Sequence, residues 1–391
     1  MEIKGKYSLA YRLCSKLYGT TFCEEDSDQH KRVKHLIRTN IRPKIIVSML
    51  QKSGDDNCRF VAAYALGEIK VHAAENILIQ ALHGAEGQNC LSEELCTALG
   101  KLKSKEAVPL LIEIINRAEK KYKDGDYSYR SVRAAIQALG DIGDKDAASF
   151  LLDKCLETRG HSYYSLFADA LSKINMDLYF DELCQALKAS DKDTRWAAAE
   201  TFYHIKVNPN KINETTSVLM SALEHEFSIN KDDRFALVQQ PLCLALGKIK
   251  AKKAVPLLLK LLYEHGDNTL IWLGAVPALG KIRDKAATPY LMKVLSSYQQ
   301  QPEQLVCLVI GAAGKIKNKE LIPFLAKLLQ DNNKDFISYA CEALGQIGGQ
   351  DSVNALTDFI KSTKDNYNFS VAIQALKKIQ NLLENNLNKR L

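Results

Sequence analysis

Long apolar runs are missing from this 391-residue sequence. A helix that crosses a bilayer needs about 18 or more consecutive apolar residues, and no stretch approaches that length. The first residues, 1–6, are not followed by the apolar segment of a secretory signal. We therefore expect no membrane partner and a cytoplasmic location.

Motifs for catalysis and metal binding are also missing. The ten cysteines include no C-x-x-C pair, and the closest two, Cys90 and Cys96, are six residues apart. No Ser-His-Asp, Walker-type or G-x-G-x-x-G signal occurs. The sequence therefore predicts no catalytic residue, no metal and no cofactor. It favours buried, reduced cysteines that pack as small hydrophobic groups.

A short string recurs along the chain. Ala-Leu-Gly-x-Ile/Leu appears six times, and four degenerate copies fall between and after these. We call the third residue of each string the repeat mark. The ten marks, spaced 31 to 44 residues apart, are Gly67, Gly100, Gly140, Ser172, Tyr203, Gly247, Gly280, Gly314, Gly345 and Lys377. Such a period is typical of stacked repeats.

Each repeat is predicted to be a helical hairpin. Four marks are followed nine residues later by a proline, which fits the first turn of a helix because its missing N–H is not needed there. These prolines are Pro109, Pro256, Pro289 and Pro323. A polar break and a second apolar stretch then lead to the next mark. We expect the glycine at the mark to end this second helix with a positive φ.

These strings resemble HEAT repeats, and specifically the short variety named after phycobilisome lyase subunits. The matching features are the A-L-G-x-I string, the A-V-P-L-L helix start and openings such as Val132-Arg133. The resemblance covers roughly residues 40 to 390. It implies an all-α, right-handed superhelical solenoid of about ten hairpins. We expect residues 1–40 to cap the repeats at 41–391, with insertions at 120–129 and 207–233.

Enzymes that carry related repeats suggest alternatives. HEAT-like deoxyhypusine hydroxylases hold a di-iron centre with repeated His-Glu pairs, and only His225-Glu226 forms such a pair here. HEAT-like glycosylases, which excise alkylated bases, place tryptophans and a carboxylate in a basic cleft. Trp196 follows Arg195 and lies one turn before Glu200, which fits an aromatic platform or a packed tryptophan beside an exposed glutamate. Phycobilin lyase subunits stay open as another alternative, although no motif identifies a bilin.

Positive charge is concentrated in one part of the chain. Twelve Lys and Arg and five Asp and Glu lie between Leu246 and Glu320, which equals the whole net charge of +7. Basic residues fall one and three positions after the mark, and stacking superposes equivalent positions into a ridge. The ridge consists of Lys248, Lys250, Lys281, Arg283, Lys315 and Lys317. It is explained either by helix dipoles, worth about 0.3–1 kcal/mol per cation, or by attraction of an acidic partner.

The position three residues before the mark is expected on the concave side of the second helices. It is polar in early repeats and apolar at Leu244 and Pro277, and we expect Pro277 to bend or shorten its helix. An apolar patch in a groove suits an inserted partner segment. We therefore predict a non-catalytic scaffold for a protein with an acidic surface or inserted segment. Nucleic acid is the less favoured partner. The candidate contacts are the ridge with Arg195, Trp196, Glu200 and Trp272.

Overall fold

The computed structural model describes residues 8–20, 34–39, 41–85, 89–121, 130–157, 164–229 and 237–388. Every regular element within these ranges is a helix, and none of the described residues forms a strand. The expected all-α fold is therefore confirmed. Among the described helices, none is both long and apolar enough to cross a membrane.

The chain divides into two compact units. The first unit comprises Met1–Gln185 and His204–Lys206, and the second comprises Ala186–Tyr203 and Val207–Leu391. The helices that begin in the first unit are α1 Ser8–Thr20, α2 Pro43–Lys52, α3 Asp56–Glu68, α4 Glu75–His83, α5 Asn89–Leu102, α6 Val108–Lys121, α7 Arg130–Ile142, α8 Lys145–Glu157, α9 Tyr164–Leu171 and α10 Phe180–Ala186. A further helical stretch covers residues 34–39.

The second unit continues the same alternation of helices. Its members are α11 Lys192–His204, α12 Ile212–Ile229, α13 Gln239–Lys248, α14 Val255–Glu264, α15 Thr269–Ile282, α16 Thr288–Ser296, α17 Glu303–Ile316, α18 Ile322–Leu328, α19 Lys334–Ile347, α20 Gln350–Ser362 and α21 Asn366–Asn388. The two insertions predicted at 120–129 and 207–233 fall partly outside the described residues, which omit 122–129 and 230–236.

The helices pair as hairpins, each with a first and a second helix. In the first unit α2 packs on α3, α4 on α5, α6 on α7 and α8 on α9. In the second unit the pairs run from α12 with α13 to α20 with α21. Second helices pack most extensively on the second helices of neighbouring repeats. The helix α1 packs against α3 at the start of the first unit.

The links between repeats have a regular form. A 3-10 turn precedes the first helix in most repeats, and the residue before this turn caps it in several of them. Asp284 accepts a hydrogen bond from the Ala286 amide at 2.9 Å, and Asn318 accepts one from the Glu320 amide at 3.3 Å. The first helices then begin with proline in their first turn, as predicted, at Pro256, Pro289 and Pro323.

The glycine at the repeat mark has a different role from the one expected. It has no positive φ and lies inside the second helix. A Cβ at Gly247 would meet the Cα of Ala278 at 2.6 Å, and one at Gly67 would meet the Cα of Ala98 at 2.8 Å. The expected helix-ending conformation is therefore wrong. Glycine is needed here because two helix backbones approach too closely for a side chain.

The positive φ occurs three residues later, at the end of the second helix. Five basic residues there have left-handed conformations with φ between 55° and 62°: Lys70, Lys103, Lys250, Arg283 and Lys317. In Arg283 the amide donates to the Leu279 carbonyl at 3.0 Å, which closes the helix. This left-handed ending is common at helix carboxyl ends, although glycine usually occupies it.

Two further expectations have clear outcomes. Pro277 lies inside α15, which runs without interruption from Thr269 to Ile282, so it does not shorten the helix, and a bend there stays a prediction. The cysteine prediction is confirmed at Cys96, Cys243 and Cys341, which are fully buried. Burial raises the pKa of the Cys96 thiol to about 12. The described cysteines form no disulfide, and Cys90 is the exposed one among them.

The close glycine contact predicts opposite effects of one substitution at two positions. Gly247→Ala should destabilise the protein by about 1–3 kcal/mol, because overpacking against Ala278 outweighs the better helix propensity of alanine. Gly311→Ala should stabilise it by about 0.5–1 kcal/mol, because nothing lies within 4 Å of a Cβ at that position. Urea unfolding of both variants checks this, and equal effects at the two positions would contradict it.

The left-handed helix ending predicts a stabilising substitution. Lys317→Gly should raise the free energy of unfolding by about 0.5–1 kcal/mol, because glycine removes the strain of a Cβ at positive φ and this exceeds its entropy cost. Lys315→Gly, in the last turn of the same helix, should instead lower it by up to about 1 kcal/mol. Thermal unfolding measures both. Destabilisation by Lys317→Gly would contradict the role of the left-handed conformation.

Candidate partner-binding surface

An apolar track lies on the outward side of the second helices in the second unit. We define it as Leu244 of α13, Leu270, Leu273 and Pro277 of α15, and Leu308 of α17, all partly exposed. Leu270, Leu273 and Pro277 are spaced so that they share one side of α15. Stacking brings Leu244 and Pro277 to equivalent positions in adjacent repeats. Partly exposed apolar side chains of the track therefore recur on three successive second helices.

Gly311 continues this track on α17. It occupies the position equivalent to Leu244 and Pro277, and no atom lies within 4 Å of where its Cβ would stand. In contrast to the glycines at the repeat marks, Gly311 faces open space. The surface is therefore accessible at Gly311. A side chain placed there would project outward, next to the apolar track.

A lysine follows each of these positions by one helical turn. Lys248 comes four residues after Leu244, Lys281 four after Pro277, and Lys315 four after Gly311. Lys248 donates to the Tyr203 carbonyl at 2.6 Å, and its Nζ is 5.7 Å from the centre of that ring. The Lys281 Nζ is 5.3 Å from the same centre.

Together these contacts bring two ammonium groups from adjacent repeats to one aromatic ring. Such cation–π contacts contribute about 0.5–1 kcal/mol at exposed sites. Tyr203 therefore helps to hold the beginning of the lysine row in place.

Two more basic rows run beside the lysine row. The left-handed residues Lys250, Arg283 and Lys317 are exposed. A third row, which the sequence interpretation missed, begins the 3-10 turns five residues after each mark. It consists of Lys252, Lys285 and Lys319, all exposed. The same periodicity that revealed the first two rows could have found it. We call these nine residues the basic edge.

In the first unit, lysines at the corresponding repeat position form ion pairs with carboxylates. Lys101 lies 2.5 Å from Glu68 of the preceding repeat, and Lys173 lies 2.7 Å from Asp141. In both pairs an acidic residue and a lysine occupy equivalent positions in successive repeats. The second unit instead has Lys248, Lys281 and Lys315 in succession with no acidic residue among them. The basic edge is thus a property of the second unit.

Arg195, a predicted contact, lies inside the second unit. It is 5% exposed and its Nε donates to Glu226, which is 1% exposed, at 2.5 Å. Its Nη1 donates to the Ala189 and Ser190 carbonyls, both at 2.9 Å. Arg195 therefore ties the start of α11 to α12 and to the loop before α11. It has no surface for a partner.

The remaining predicted contacts are divided between the interior and the surface. Trp272, which belongs to α15, is buried and only 3% exposed. Trp196 and Glu200 are partly exposed on α11. The structure therefore brings Lys248 and Lys281 of the ridge to the Tyr203 ring, and the other four ridge residues are exposed. It places Arg195 and Trp272 in the interior.

A concavity of about 810 Å³ lies on the first-helix side. It is lined by residues of α12, of α14 and of the positions flanking α14, including Phe227, Leu257 and His265. The Phe227 and His265 ring centres are 5.0 Å apart. Because α12 ends at Ile229, next to residues outside the described ranges, we assign no role to this groove.

Family models identify the repeats. The model for HEAT repeats matches residues 227–304 and 298–377, and the model for the PBS lyase HEAT-like repeat matches residues 132–155. This chain carries HEAT repeats. The expected resemblance is confirmed, and the basic edge lies within the matched segments. Comparison with curated protein sequences gives no match.

A solved structure with the helical solenoid fold aligns with most of this chain. The Kap95p complex with RanGDP aligns over 91% of this chain and 52% of that chain, with 14% identity and a TM-score of 0.51. Importin beta aligns over 90% and 53%, with 15% identity and a TM-score of 0.48. The phycocyanin lyase complex of CpcE and CpcF from Nostoc sp. PCC7120 aligns over 88% and 95%, with 20% identity and a TM-score of 0.31. This chain spans about half the length of the first two, and the likeness concerns the fold alone.

The buried ion pair predicts a large loss of stability when one partner is removed. Glu226→Ala should destabilise the protein by about 3–5 kcal/mol, because it leaves the Arg195 guanidinium buried without its counter-charge. Glu224→Ala, an exposed position on the same helix, should change stability by less than about 0.5 kcal/mol. Chemical denaturation compares the two. If Glu226→Ala and Glu224→Ala changed the stability by similarly small amounts, this would show that the Arg195 guanidinium reaches solvent.

Proposed function

We propose that this chain is a non-catalytic protein-binding scaffold. Its second unit receives a partner segment that carries apolar and acidic side chains. The observation that carries this proposal is the repeated pairing of the apolar track with a lysine one turn later, at Leu244 and Lys248, Pro277 and Lys281, and Gly311 and Lys315. A segment with the complementary alternation would contact both features at once.

The two features contribute in different ways. Covering the apolar track removes hydrocarbon surface from water, which stabilises a complex by about 25 cal/mol for each Å² buried. The basic edge attracts acidic groups over a distance set by salt, about 8 Å at physiological ionic strength. It therefore accelerates encounter and selects for acidic partners more than it adds affinity.

The apolar track supports a protein partner in preference to nucleic acid. A phosphate backbone would contact the basic edge but leave Leu244, Leu273 and Leu308 uncovered. Kap95p, which has a similar fold, binds the protein RanGDP. That likeness is consistent with a protein partner and does not identify one.

Affinity capture from native lysate, with and without nuclease, tests the proposal. The unaltered chain should retain a stoichiometric protein after nuclease treatment. The triple variant Lys248→Glu, Lys281→Glu and Lys315→Glu should lose it, because acidic side chains would repel an acidic segment. The matched control, with glutamate at Lys260, Lys327 and Lys364, changes the net charge equally at exposed positions outside the basic edge and should retain it.

A second variant separates the apolar track from the charge. Gly311→Asp places a carboxylate in open space next to the apolar track. The variant should therefore fold normally but should no longer retain the captured partner. Circular dichroism would check the fold of each variant. If the captured material disappears with nuclease, or if both the triple variant and Gly311→Asp retain the partner, the proposal is wrong.

A further inference from the structure

The first unit contains a pocket that the basic edge and the apolar track do not involve. Its volume is about 660 Å³, and residues of α1, α3, α5 and the start of α7 line it. Tyr18 of α1 and Phe60 and Tyr64 of α3 form an aromatic wall. The ring of Tyr18 meets Phe60 and Tyr64 edge-on, with centroid distances of 5.0 and 5.3 Å. The wall is therefore a fixed group of three rings.

The cations near this pocket already face carboxylates. Lys34 and Lys101 lie 2.8 and 2.5 Å from the two oxygens of Glu68. The Nζ of Lys101 is also 5.1 Å from the centre of the Tyr64 ring. On the other side, Arg130 lies 3.9 Å from Glu93. These contacts leave little positive charge to attract an anion.

Glu94 is the exception among the acidic residues of the pocket. It lines the cavity from α5 and is 8% exposed. Within the described part of the chain, no hydrogen bond or ion pair involves its carboxyl group. A carboxylate held largely out of water without a protein hydrogen bond is unfavourable, and a donor supplied by a ligand would lower that cost.

We propose that this pocket binds an alkylammonium group, with Glu94 as its counter-charge and the rings of Tyr18, Phe60 and Tyr64 as its walls. Aromatic faces attract cations through their quadrupole, and the attraction is larger in a desolvated site. An ammonium group also supplies the hydrogen-bond donors that the Glu94 carboxylate lacks. The volume lies within the usual range for small-ligand sites, about 300–1,000 Å³, and accommodates a lysine-length chain.

The pocket and the basic edge have opposite preferences. Glu93 and Glu94 line the first together with Lys101 and Arg130, whereas nine cations and no carboxylate form the second. A cationic ligand would be repelled by the basic edge, so binding at one surface can be measured without the other. The inference does not rest on the proposed scaffold function.

Binding should depend on pH because the proton on Glu94 competes with the ligand. The pKa of Glu94 is raised to about 7, mainly by burial, while the charge of Lys101 acts to lower it and the charges of Glu93 and Glu68 act to raise it. The other titratable groups that line the pocket are Tyr11, Tyr18, Tyr64, Cys90 and Arg130. Ionised Glu94 increases from about one tenth at pH 6 to about nine tenths at pH 8. Affinity for an ammonium group should therefore increase about ninefold across this range.

Calorimetric titration of the full chain tests the proposal with defined probes. Nα-acetyl-lysine methylamide carries the ammonium on a peptide side chain, and spermidine supplies it as a free polyamine. The Nε-acetylated form of the lysine probe has the same chain without the charge and should not bind. Tighter binding of the lysine probe assigns the ligand to a protein side chain, and tighter binding of spermidine assigns it to a free amine.

Variants connect the binding to Glu94. Glu94→Gln should weaken ammonium binding at pH 8 at least tenfold and abolish its pH dependence, because the amide keeps the shape but not the charge. Phe60→Leu should weaken binding at all pH values by removing one ring. Glu106→Gln, an exposed position outside the pocket, should bind as the unaltered chain does.

Several results would overturn the proposal. These are equal binding of the acetylated probe, unchanged affinity in Glu94→Gln, or no binding of either amine at millimolar concentration. If Glu94→Gln does not fold, the pH dependence of ammonium binding to the unaltered chain tests the proposal instead. A flat affinity between pH 6 and pH 8 would then exclude Glu94 as the counter-charge.

Discussion

The close contact between successive second helices is the constraint on which the rest of the structure depends. A glycine at the repeat mark lies against the alanine of the next A-L-G string, at distances that leave no room for a Cβ. The contact recurs at the seven glycine marks, and it is loosest at Gly345, where a Cβ would meet the Cα of Ala375 at 3.2 Å. It fixes the spacing of neighbouring second helices and brings equivalent residues of each repeat side by side. Protein interiors tolerate such contacts only when both partners are small.

Because of this register, a residue's position in the repeat decides which row of the surface it joins. The row one residue after the mark is neutralised in the first unit, where Glu68 faces Lys101 and Asp141 faces Lys173. In the second unit the same row contains three lysines in succession. One backbone arrangement thus presents two different electrostatic surfaces. The difference comes from single side chains at equivalent positions and requires no change in the fold.

The two proposed sites use the scaffold in different ways. The basic edge and apolar track are assembled from equivalent positions of several repeats and form an extended surface. The pocket around Glu94 depends on α1, which packs on α3 at the start of the first unit and supplies Tyr18.

Much of the repeat pattern was predictable because it depends on local spacing. Proline in the first turn of a helix follows from its position nine residues after the mark. The two basic rows at Lys248 and Lys250 were also visible, since a row needs only a constant offset from the mark. The third row at Lys252 follows the same rule and could have been included.

The errors concern contacts between residues about thirty positions apart. A helix-ending conformation was expected at Gly247 because glycine commonly has that role. The position instead requires glycine because the backbone of Ala278 in the next repeat leaves no room for a side chain. Arg195 was expected at the surface, and only packing of α11 on α12 places Glu226 against it. Nothing in the sequence distinguishes Glu94 from other glutamates on helices, and only the packing of the helices shows that it is buried. The sequence alone determined the helices, their period and the rows of charge, because these depend on spacing along the chain. The tertiary structure decided which side chains are buried and which charges are paired, because those outcomes depend on neighbours that only stacking brings together.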